Sequence, residues 1–218
     1  GAPPSGTNNI YVVHQAKAVG TIDVPASSVV PASLASNIIS GQTALAATPA
    51  TDDELLISDA GTIKRIDAQF FQNTPSFEAT KSDSNQDFNN ATYTKLQFNS
   101  ETFDSDGKYD NSTNYRFTPT IAGKYFIYAV ATLSAQNQTD WNYGNLAIYK
   151  NGSEYHNQIF DARANPLFRP YLSVSAIIDF DSDDYVEIYA RVVSVDEGTQ
   201  TMQATNANRF GGFKIIGV

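Results

Sequence analysis

The stretch 124–133, KYFIYAVATL, constrains the fold more than any other part of the chain. Pro119 and Gly123 set its entry, and its side chains alternate between the two faces of one strand. Both faces are apolar: one carries Tyr125, Ile127, Ala129, Ala131 and Leu133, and the other carries Phe126, Tyr128 and Val130. An ordinary antiparallel strand buries one face and exposes the other to water. We therefore expect one face to fill a sandwich core and the second to contact another subunit.

The composition is typical of a folded chain built from short strands. The 218 residues fit one large domain, or a domain of about 140 residues with a substantial appendage. Hydrophobic residues make up 41% and aromatic residues 12%, which is too many for a disordered chain. Gly, Asn, Ser and Thr recur in the clusters that separate short strands, and this favours an all-β fold.

The formal net charge of −9 argues against nucleic acid as a partner, because phosphate neutralisation needs clustered Lys and Arg and the 14 here are scattered. We expect no membrane insertion either, since no apolar run approaches the roughly 20 residues that a spanning helix needs. Without cysteine the chain forms no disulfide and no thiolate metal site. Because residue 1 is Gly and not Met, we expect a processed chain or a fragment of a longer one.

The segment 1–72 differs in composition from the remainder, and we expect it to be a stem or attachment arm. It begins with a loop-forming run and a short strand-like stretch at 10–13. The stretch 24–51 consists mainly of small residues, and prolines limit the loosely helical spacing of Val30, Leu34 and Ile38. Such a segment buries little surface alone, so it should pack against copies of itself or against another protein.

Within this segment, ELLIS and TIKRI predict a small hairpin (54–66) whose three-residue loop, Asp59-Ala60-Gly61, has Gly at the left-handed position. An isolated hairpin is only marginally stable, so it too needs a neighbour. The surrounding run 53–71, DELLISDAGTIKRIDAQFF, resembles a segment that recurs in bacteriophage fibre and other virion proteins, just ahead of a C-terminal module. The resemblance implies a virion protein that carries a C-terminal knob.

The segment 73–218 shows a regular series of about eight short strands separated by turn clusters. Asn151-Gly152 is the strongest of the hairpin signals. The expected strands are 76–80, 93–98, 124–133, 141–150, 154–160, 171–180, 185–195 and 209–218. Their number and spacing predict a sandwich of two sheets, which we expect to form the knob.

Motifs along 75–218 resemble the globular head of complement component q and its tumour-necrosis-factor relatives, in the order in which that family has them. They are Phe98, Phe103, Gly107, Tyr109, Phe117-Thr118-Pro119, Gly123, Tyr125-Phe126, Lys150-Asn151-Gly152 and Phe210-Gly211-Gly212-Phe213. One departure is Asp183-Asp184 where the family has Gly-Asp. Another is the lack of an upstream Gly-X-Y repeat, which excludes a collagen stem for this segment. The resemblance implies a ten-stranded jelly-roll β-sandwich that assembles as a homotrimer.

The resemblance also implies that aromatic strand faces pack about a threefold axis. The side chains expected at this trimer interface are Phe126, Tyr128, Val130, Tyr185 and Tyr189. Recognition of a host surface is expected from loop aromatics, amides and arginines, which suit stacking on sugars or contact with a surface protein. These are Asn137, Trp141, Tyr143, Arg163 and Asn165. The alternative for Trp141 is that it caps the core.

Two acidic clusters could bind calcium. Asp104, Asp106 and Asp110 resemble part of a calcium loop, although the distal Glu of such loops is absent and a plain Asx/Gly turn is the alternative. The aspartates between 179 and 184 have the same two interpretations, a calcium site near the trimer axis or a solvated turn. His14 and His156 have no companion at ligand spacing, so we expect no zinc site and no other cofactor.

The sequence contains no GxSxG elbow, phosphate loop, HExxH motif or cysteine nucleophile, so we expect no enzyme. Carboxylate pairs leave one catalytic alternative, a polysaccharide-cleaving tail spike. We expect a structural protein at the virion surface, and therefore extracellular: a trimeric bacteriophage fibre whose knob binds a host-surface glycan or protein. Residues 1–70 would bind other virion proteins. The remaining alternatives are a capsid-surface fibre or decoration protein anchored through 1–70 and a secreted complement-like ligand.

Overall fold

A computed structural model of the chain describes residues 5, 30, 34–50, 52–137, 140–165 and 167–217. The chain divides into two compact units, 1–48 and 49–218. The described residues of the first unit are 5, 30 and 34–48, and the expected strand at 10–13 lies outside them. The described part of that unit forms turns, in one of which the Gly41 N–H donates to the Asn37 carbonyl at 2.7 Å. No helix in the described ranges combines the length and apolarity needed to cross a membrane.

The described residues of the second unit form fifteen strands and one turn of 3-10 helix, Ala68–Phe71. The strands are β1 (Glu54–Asp59), β2 (Thr62–Asp67), β3 (Ser76–Lys81), β4 (Gln86–Phe88), β5 (Thr94–Lys95), β6 (Ser100–Asp104), β7 (Tyr109–Asp110), β8 (Arg116–Phe117), β9 (Gly123–Ser134), β10 (Trp141–Lys150), β11 (Ser153–Asp161), β12 (Tyr171–Phe180), β13 (Val186–Ser194), β14 (Gln200–Met202) and β15 (Thr205–Lys214). Their pairings are antiparallel. The expected all-β class is confirmed.

Strands β1 and β2 form the expected hairpin as a separate two-stranded sheet, which lies in the second unit. Asp59 pairs with Thr62, so the loop has two residues, Ala60 and Gly61, where we expected three. Both loop residues have positive φ, 49° and 86°, as a type I′ turn requires. The three-residue loop was expected because alanine seldom adopts a positive φ. Here the pairing of Asp59 with Thr62 places Ala60 in that conformation.

The remaining strands form two sheets that enclose one core. The β9 sheet has the order β12-β9-β15-β3-β6, and β14 and β4 extend it from the end of β9. The β13 sheet has the order β11-β10-β13-β8-β7, and β5 also pairs with β13. This is the expected jelly-roll sandwich, with more strands than the sequence predicts. The additional strands are short, two to five residues, and too brief to show a period.

The core lies between the two sheets and contains the expected inward face of β9. Its five side chains are at most 1% exposed: Tyr125, Ile127, Ala129, Ala131 and Leu133. Phe77 stacks on Tyr109 and Phe117 at centroid distances of 4.8 and 4.3 Å, and Phe210 meets Phe77 edge-on at 4.9 Å. The alternating apolar residues of β12 and β13 complete the core, as their period predicts.

The turn that follows β12 is held by Asp184, which is buried and not solvated as expected. Its carboxylate accepts hydrogen bonds from the Asp181 N–H and the Lys150 Nζ, both at 2.7 Å, and from the Asn151 side-chain amide. Burial alone would raise the pKa of Asp184, but these three donors outweigh it and lower the pKa to about 2. Asp184 thereby connects the turn to the neighbouring hairpin turn at Asn151.

Asp184→Asn should flatten the acid dependence of stability. A carboxyl whose pKa is lowered on folding stabilises the native state above its unfolded pKa of about 4. That contribution is lost as the pH falls through the folded value of about 2. Urea unfolding between pH 4 and pH 2 should therefore show a weaker pH dependence in the variant. Asp183→Asn, at an exposed position of the same turn, is the matched control, and an equal slope for both variants would contradict the assignment.

Candidate functional site

The structure separates the five residues that we expected at one trimer interface. Phe126, Tyr128 and Val130 lie on the outer face of β9, where each is partly exposed. Tyr185 and Tyr189 lie on the outer face of the β13 sheet, on the opposite side of the sandwich. A single seam formed by the β9 sheet therefore contains only the first three. Alternation shows which side chains share a face of one strand but not which outer face of a sandwich they join, so the sequence could not show that Tyr185 and Tyr189 lie on the other side.

The outer face of the β9 sheet carries six partly exposed apolar side chains on three adjacent strands. We call this set the aromatic face: Phe126, Tyr128, Val130, Tyr171, Ile177 and Phe213. Phe126 lies between Ile177 and Phe213 in the strand register, with its ring 5.6 Å from that of Phe213. Tyr171 and Ile177 are 63% and 57% exposed. Single exposed apolar residues are ordinary, but a contiguous set of this kind is typical of an interaction surface.

A buried carboxylate fixes the position of Tyr128 on this face. The Tyr128 hydroxyl donates to Glu78 Oε2 at 2.7 Å, and Arg209 Nη1 donates to Glu78 Oε1 at 2.7 Å. Tyr128 reaches Glu78 by crossing Gly211, where an added Cβ would lie 2.5 Å from the Tyr128 hydroxyl oxygen. Burial is the main cause that raises the pKa of Tyr128, and the neighbouring Glu78 carboxylate raises it further. The hydroxyl therefore stays protonated and donates. The ring is therefore held flat against the sheet.

A recess of about 420 Å³ borders the aromatic face. Tyr128, Val130 and Ser173 line one side of it, and His156 and Gln158 of β11 line the other. Because Ser173 lies opposite Val130 in the register, the recess is continuous with the aromatic face. The recess can accept a protruding side chain from a molecule that covers the face.

The outer face of the β13 sheet has a different chemistry, because its rings are tyrosines and three of them lie beside arginines. We call it the tyrosine–arginine face. Its tyrosines are Tyr93, Tyr143, Tyr149, Tyr185 and Tyr189, and its arginines are Arg116, Arg163 and Arg191. The sequence analysis missed Tyr93, Tyr149, Arg116 and Arg191. The alternation along 185–195 places Tyr185, Tyr189 and Arg191 on one outward face, and this pattern could have indicated the surface from the sequence.

The predicted recognition residues do not form one site. Trp141 is fully buried in the core, so its predicted role in recognition was wrong and the core alternative is correct. Tyr143 and Arg163 do come together, with the guanidinium carbon 5.5 Å from the ring centroid. The Asn137 amide donates to the Asp196 carboxylate, and the Asn165 N–H donates to the Ala162 carbonyl at 2.9 Å. The loop position of Trp141 suggested exposure, but Gly144 leaves room for the indole inside the sandwich.

Two of the carboxylates proposed as calcium ligands, those of Asp104 and Asp110, accept hydrogen bonds from backbone N–H groups in their own turns. Asp104 accepts hydrogen bonds from the N–H groups of Tyr109 and Asp106, at 2.7 and 3.3 Å. Asp110 accepts from the N–H groups of residues 112–114, and these bonds lower its pKa. In the part of the chain that the structure describes, no group of three or more His, Asp or Glu side chains could hold a metal ion. His14 lies outside the described residues. These aspartates are already engaged as hydrogen-bond acceptors, and calcium at Asp104, Asp106 and Asp110 stays a prediction.

No protein-family model matches the sequence, and no curated protein matches it. Solved structures do match in fold. The globular domain of the zebrafish complement 1qA protein is 14% identical with a TM-score of 0.44, over 65% of this chain and 98% of that one. Murine APRIL, in crystals at pH 5.0 and pH 8.5, is 7% and 8% identical with TM-scores of 0.47 and 0.45. Both cover 64% of this chain and 98% of that one. These likenesses concern the fold alone.

Proposed function

We propose that this chain is a non-enzymatic structural protein of a bacteriophage virion, a homotrimeric fibre whose jelly-roll knob binds a glycan or protein on the host surface. The observation that carries the proposal is the aromatic face, an apolar surface on three strands of the β9 sheet. The run 53–71 supports the virion setting through its resemblance to fibre proteins. The protein would act at the virion surface by binding.

The aromatic face favours self-association. Its central row is apolar from Ile177 through Phe126 to Phe213, and the small Ser175 and Gly211 flank Tyr128 and keep the surface flat. Burying the exposed part of each apolar side chain contributes on the order of 1 kcal/mol. A trimer forms in two association steps, each of which costs roughly 4–15 kcal/mol, and six such side chains from each copy give a gain of about the same magnitude as that combined cost. The threefold arrangement is what the resemblance to the complement-q and tumour-necrosis-factor family implies.

Burial of the aromatic face would leave the opposite side of each knob available. The tyrosine–arginine face and the loops at the ends of the sandwich would then point away from the threefold axis. Tyrosines and arginines are common at recognition surfaces because they combine contact area with hydrogen-bonding groups. Host binding is therefore assigned to the outer sheet of the knob.

The hairpin favours a second function, attachment to a capsid as a surface fibre or decoration protein. Three aliphatic side chains of β1 and β2 are exposed, and Leu56 is the most exposed at 79%. The other two are Leu55 and Ile63, and Phe70 and Phe71 follow them in the 3-10 turn. A two-stranded sheet with so much exposed apolar surface needs a partner. Residues 1–70 are proposed to supply that contact with other virion proteins.

Imaging the intact particle by electron cryomicroscopy tests these assignments. We expect three knobs around one axis on the outside of the particle, with residues 1–70 in contact with capsid or tail proteins. Knobs that occur singly, or inside the particle, would contradict the fibre proposal. Incubation of the full chain with host polysaccharide should release no reducing ends, whereas release would support a polysaccharide-cleaving spike instead.

A further inference from the structure

We propose that the tyrosine–arginine face binds an acidic oligosaccharide, whose sugar rings stack on the tyrosines while Arg116 and Arg191 bind its carboxylates. The inference rests on the proposed function, because it names the chemistry of the host ligand that the knob recognises. It locates recognition on the flat outer sheet and not in the loops at the ends of the sandwich.

Three tyrosines, Tyr93, Tyr149 and Tyr189, form a rigid platform on this face. The Tyr93 hydroxyl accepts a hydrogen bond from the Asn157 side-chain amide at 2.9 Å. Because β13 and β10 separate β5 from β11, this bond places the Tyr93 ring across two strands of the sheet. Ala147 points away from the core and is nevertheless fully buried, which agrees with a ring lying above it. Tyr149 stacks on Tyr189 at 4.1 Å and lies 6.1 Å from Tyr93.

The platform presents hydroxyl groups as well as ring faces. Tyrosine hydroxyls are protonated at neutral pH, and burial raises the pKa of Tyr93, Tyr149 and Tyr189 further. The Asn145 side-chain amide donates to the side-chain oxygen Oδ1 of Asn157 at 3.0 Å, which fixes the Asn157 amide beside the rings. Ring faces beside hydroxyl and amide groups suit sugars, because a sugar has C–H faces and hydroxyl edges.

The tyrosine–arginine face carries both paired and unpaired charges. Two cations are neutralised locally, since Lys95 Nζ lies 3.0 Å from Glu187 Oε1 and Arg163 pairs with Asp161. Arg116 and Arg191 form no ion pair with any described residue; Arg116 lies 4.4 Å from the Tyr185 ring centroid. A chain with 23 acidic and 14 basic residues has ample carboxylates to pair them. The face also carries carboxylates, since Asp110 lies opposite Arg116 in the strand register and Glu154 accepts a hydrogen bond from the Asn157 amide. Arg191 lies opposite Asn145 and not opposite a carboxylate, so it provides the main donors for an anionic ligand.

Arg191 is held in a position to receive a ligand. Its Nε donates to the Ala91 carbonyl at 2.9 Å, and its guanidinium carbon lies 5.5 Å from the Tyr143 ring and 5.9 Å from the Tyr93 ring. The bond to Ala91 uses one donor and leaves the terminal N–H groups for a carboxylate. Tyrosine rings beside the guanidinium provide the stacking surface for the sugar that carries that carboxylate.

The dimensions and the net charge select an oligosaccharide over nucleic acid. From Tyr185 to Arg191, β13 spans roughly 20 Å at about 3.3 Å per residue, which leaves room for several sugar rings. A nucleic acid has one phosphate per nucleotide and would be repelled by a chain of net charge −9. A polysaccharide with occasional carboxylates needs only a few cations, which is what this face provides.

The test uses the full chain and a panel of bacterial polysaccharides that contain uronate or sialate, each with its carboxyl-reduced neutral form. We expect the chain to retain acidic members and to lose at least about tenfold in affinity for their reduced forms. Equal retention of both forms would overturn the acidic assignment. Retention of no acidic member would overturn the site altogether.

Variants then locate the binding. Arg191→Gln and Arg116→Gln should each weaken retention about tenfold, and Tyr149→Leu should weaken it by a similar factor through lost stacking. Arg65→Gln, on the exposed hairpin, removes the same charge elsewhere and should have no effect. If Tyr149→Leu fails to fold, the two arginine variants decide the question. Unchanged retention in both would contradict the site.

The outcomes separate this inference from the proposed function. A trimeric chain on the particle surface that retains no acidic polysaccharide overturns the site and leaves the fibre proposal in place. A monomeric chain that retains acidic polysaccharide overturns the trimeric fibre and leaves the site in place.

Discussion

Phe126→Asp should convert the assembly into folded monomers. Phe126 lies at the centre of the aromatic face, between Ile177 and Phe213. In a trimer the substitution would bury an unpaired carboxylate at an apolar seam, which costs several kcal/mol in each copy. Because Phe126 points away from the core, the same change should leave the sandwich of a single chain intact. Size-exclusion chromatography with light scattering should therefore show a fall to the mass of one chain, with the β-sheet circular dichroism unchanged.

The matched control is Ile159→Asp, which places the same charge at an exposed apolar position on the other sheet. That variant should remain trimeric. Tyr128→Asp is a less suitable test, because it would bring a second carboxylate close to Glu78 and destabilise the single chain as well. A folded Phe126→Asp chain that elutes as the wild type does would show that the aromatic face is not the seam.

Phe210→Ala should cause a large loss of stability. Phe210 is fully buried, and its ring contacts those of Phe77, Phe98 and Tyr109 at centroid distances of 4.9, 5.7 and 5.7 Å. Truncating a buried Phe leaves a cavity that neighbouring rings fill poorly, and such changes cost about 3–5 kcal/mol. Urea unfolding should show that decrease in the free energy of unfolding.

Phe70→Ala provides the comparison for Phe210→Ala, because Phe70 is 55% exposed on the 3-10 turn. It should change the free energy of unfolding by less than about 1 kcal/mol. Both variants must be compared with the wild type at one protein concentration, since assembly adds stability by mass action. Similar losses in the two variants would contradict the placement of Phe210 at the centre of the core.

The sequence predicted the two-sided strand and the sandwich class because long alternating strands carry a strong periodic signal. In β9 the inward residues from Tyr125 to Leu133 are buried and the outward residues from Phe126 to Val130 are partly exposed, as alternation requires. The Asn151-Gly152 turn was equally predictable, and both residues have positive φ. Local chemistry determines each of these features.

Features that depend on distant parts of the chain were not predictable. The stretch 93–98 alternates like a strand, but only Thr94–Lys95 pairs, because Tyr93 turns across the β13 sheet toward Asn157. Trp141 carries no local sign that the sandwich has space for its indole. The tyrosine–arginine face gathers side chains from β8, β10 and β13 and from residues next to β5, β11 and β13, and the order of these strands in the sheet differs from their order in the chain.

The mass of the unmodified chain in solution tests the central claim most directly. Sedimentation equilibrium or light scattering over a range of protein concentrations should give a species of three times 23.7 kDa. If the aromatic face binds copies of the same chain, as we propose, this species should persist to lower protein concentrations than that of any variant at Phe126. A stable species of 23.7 kDa at the highest concentration would contradict the account.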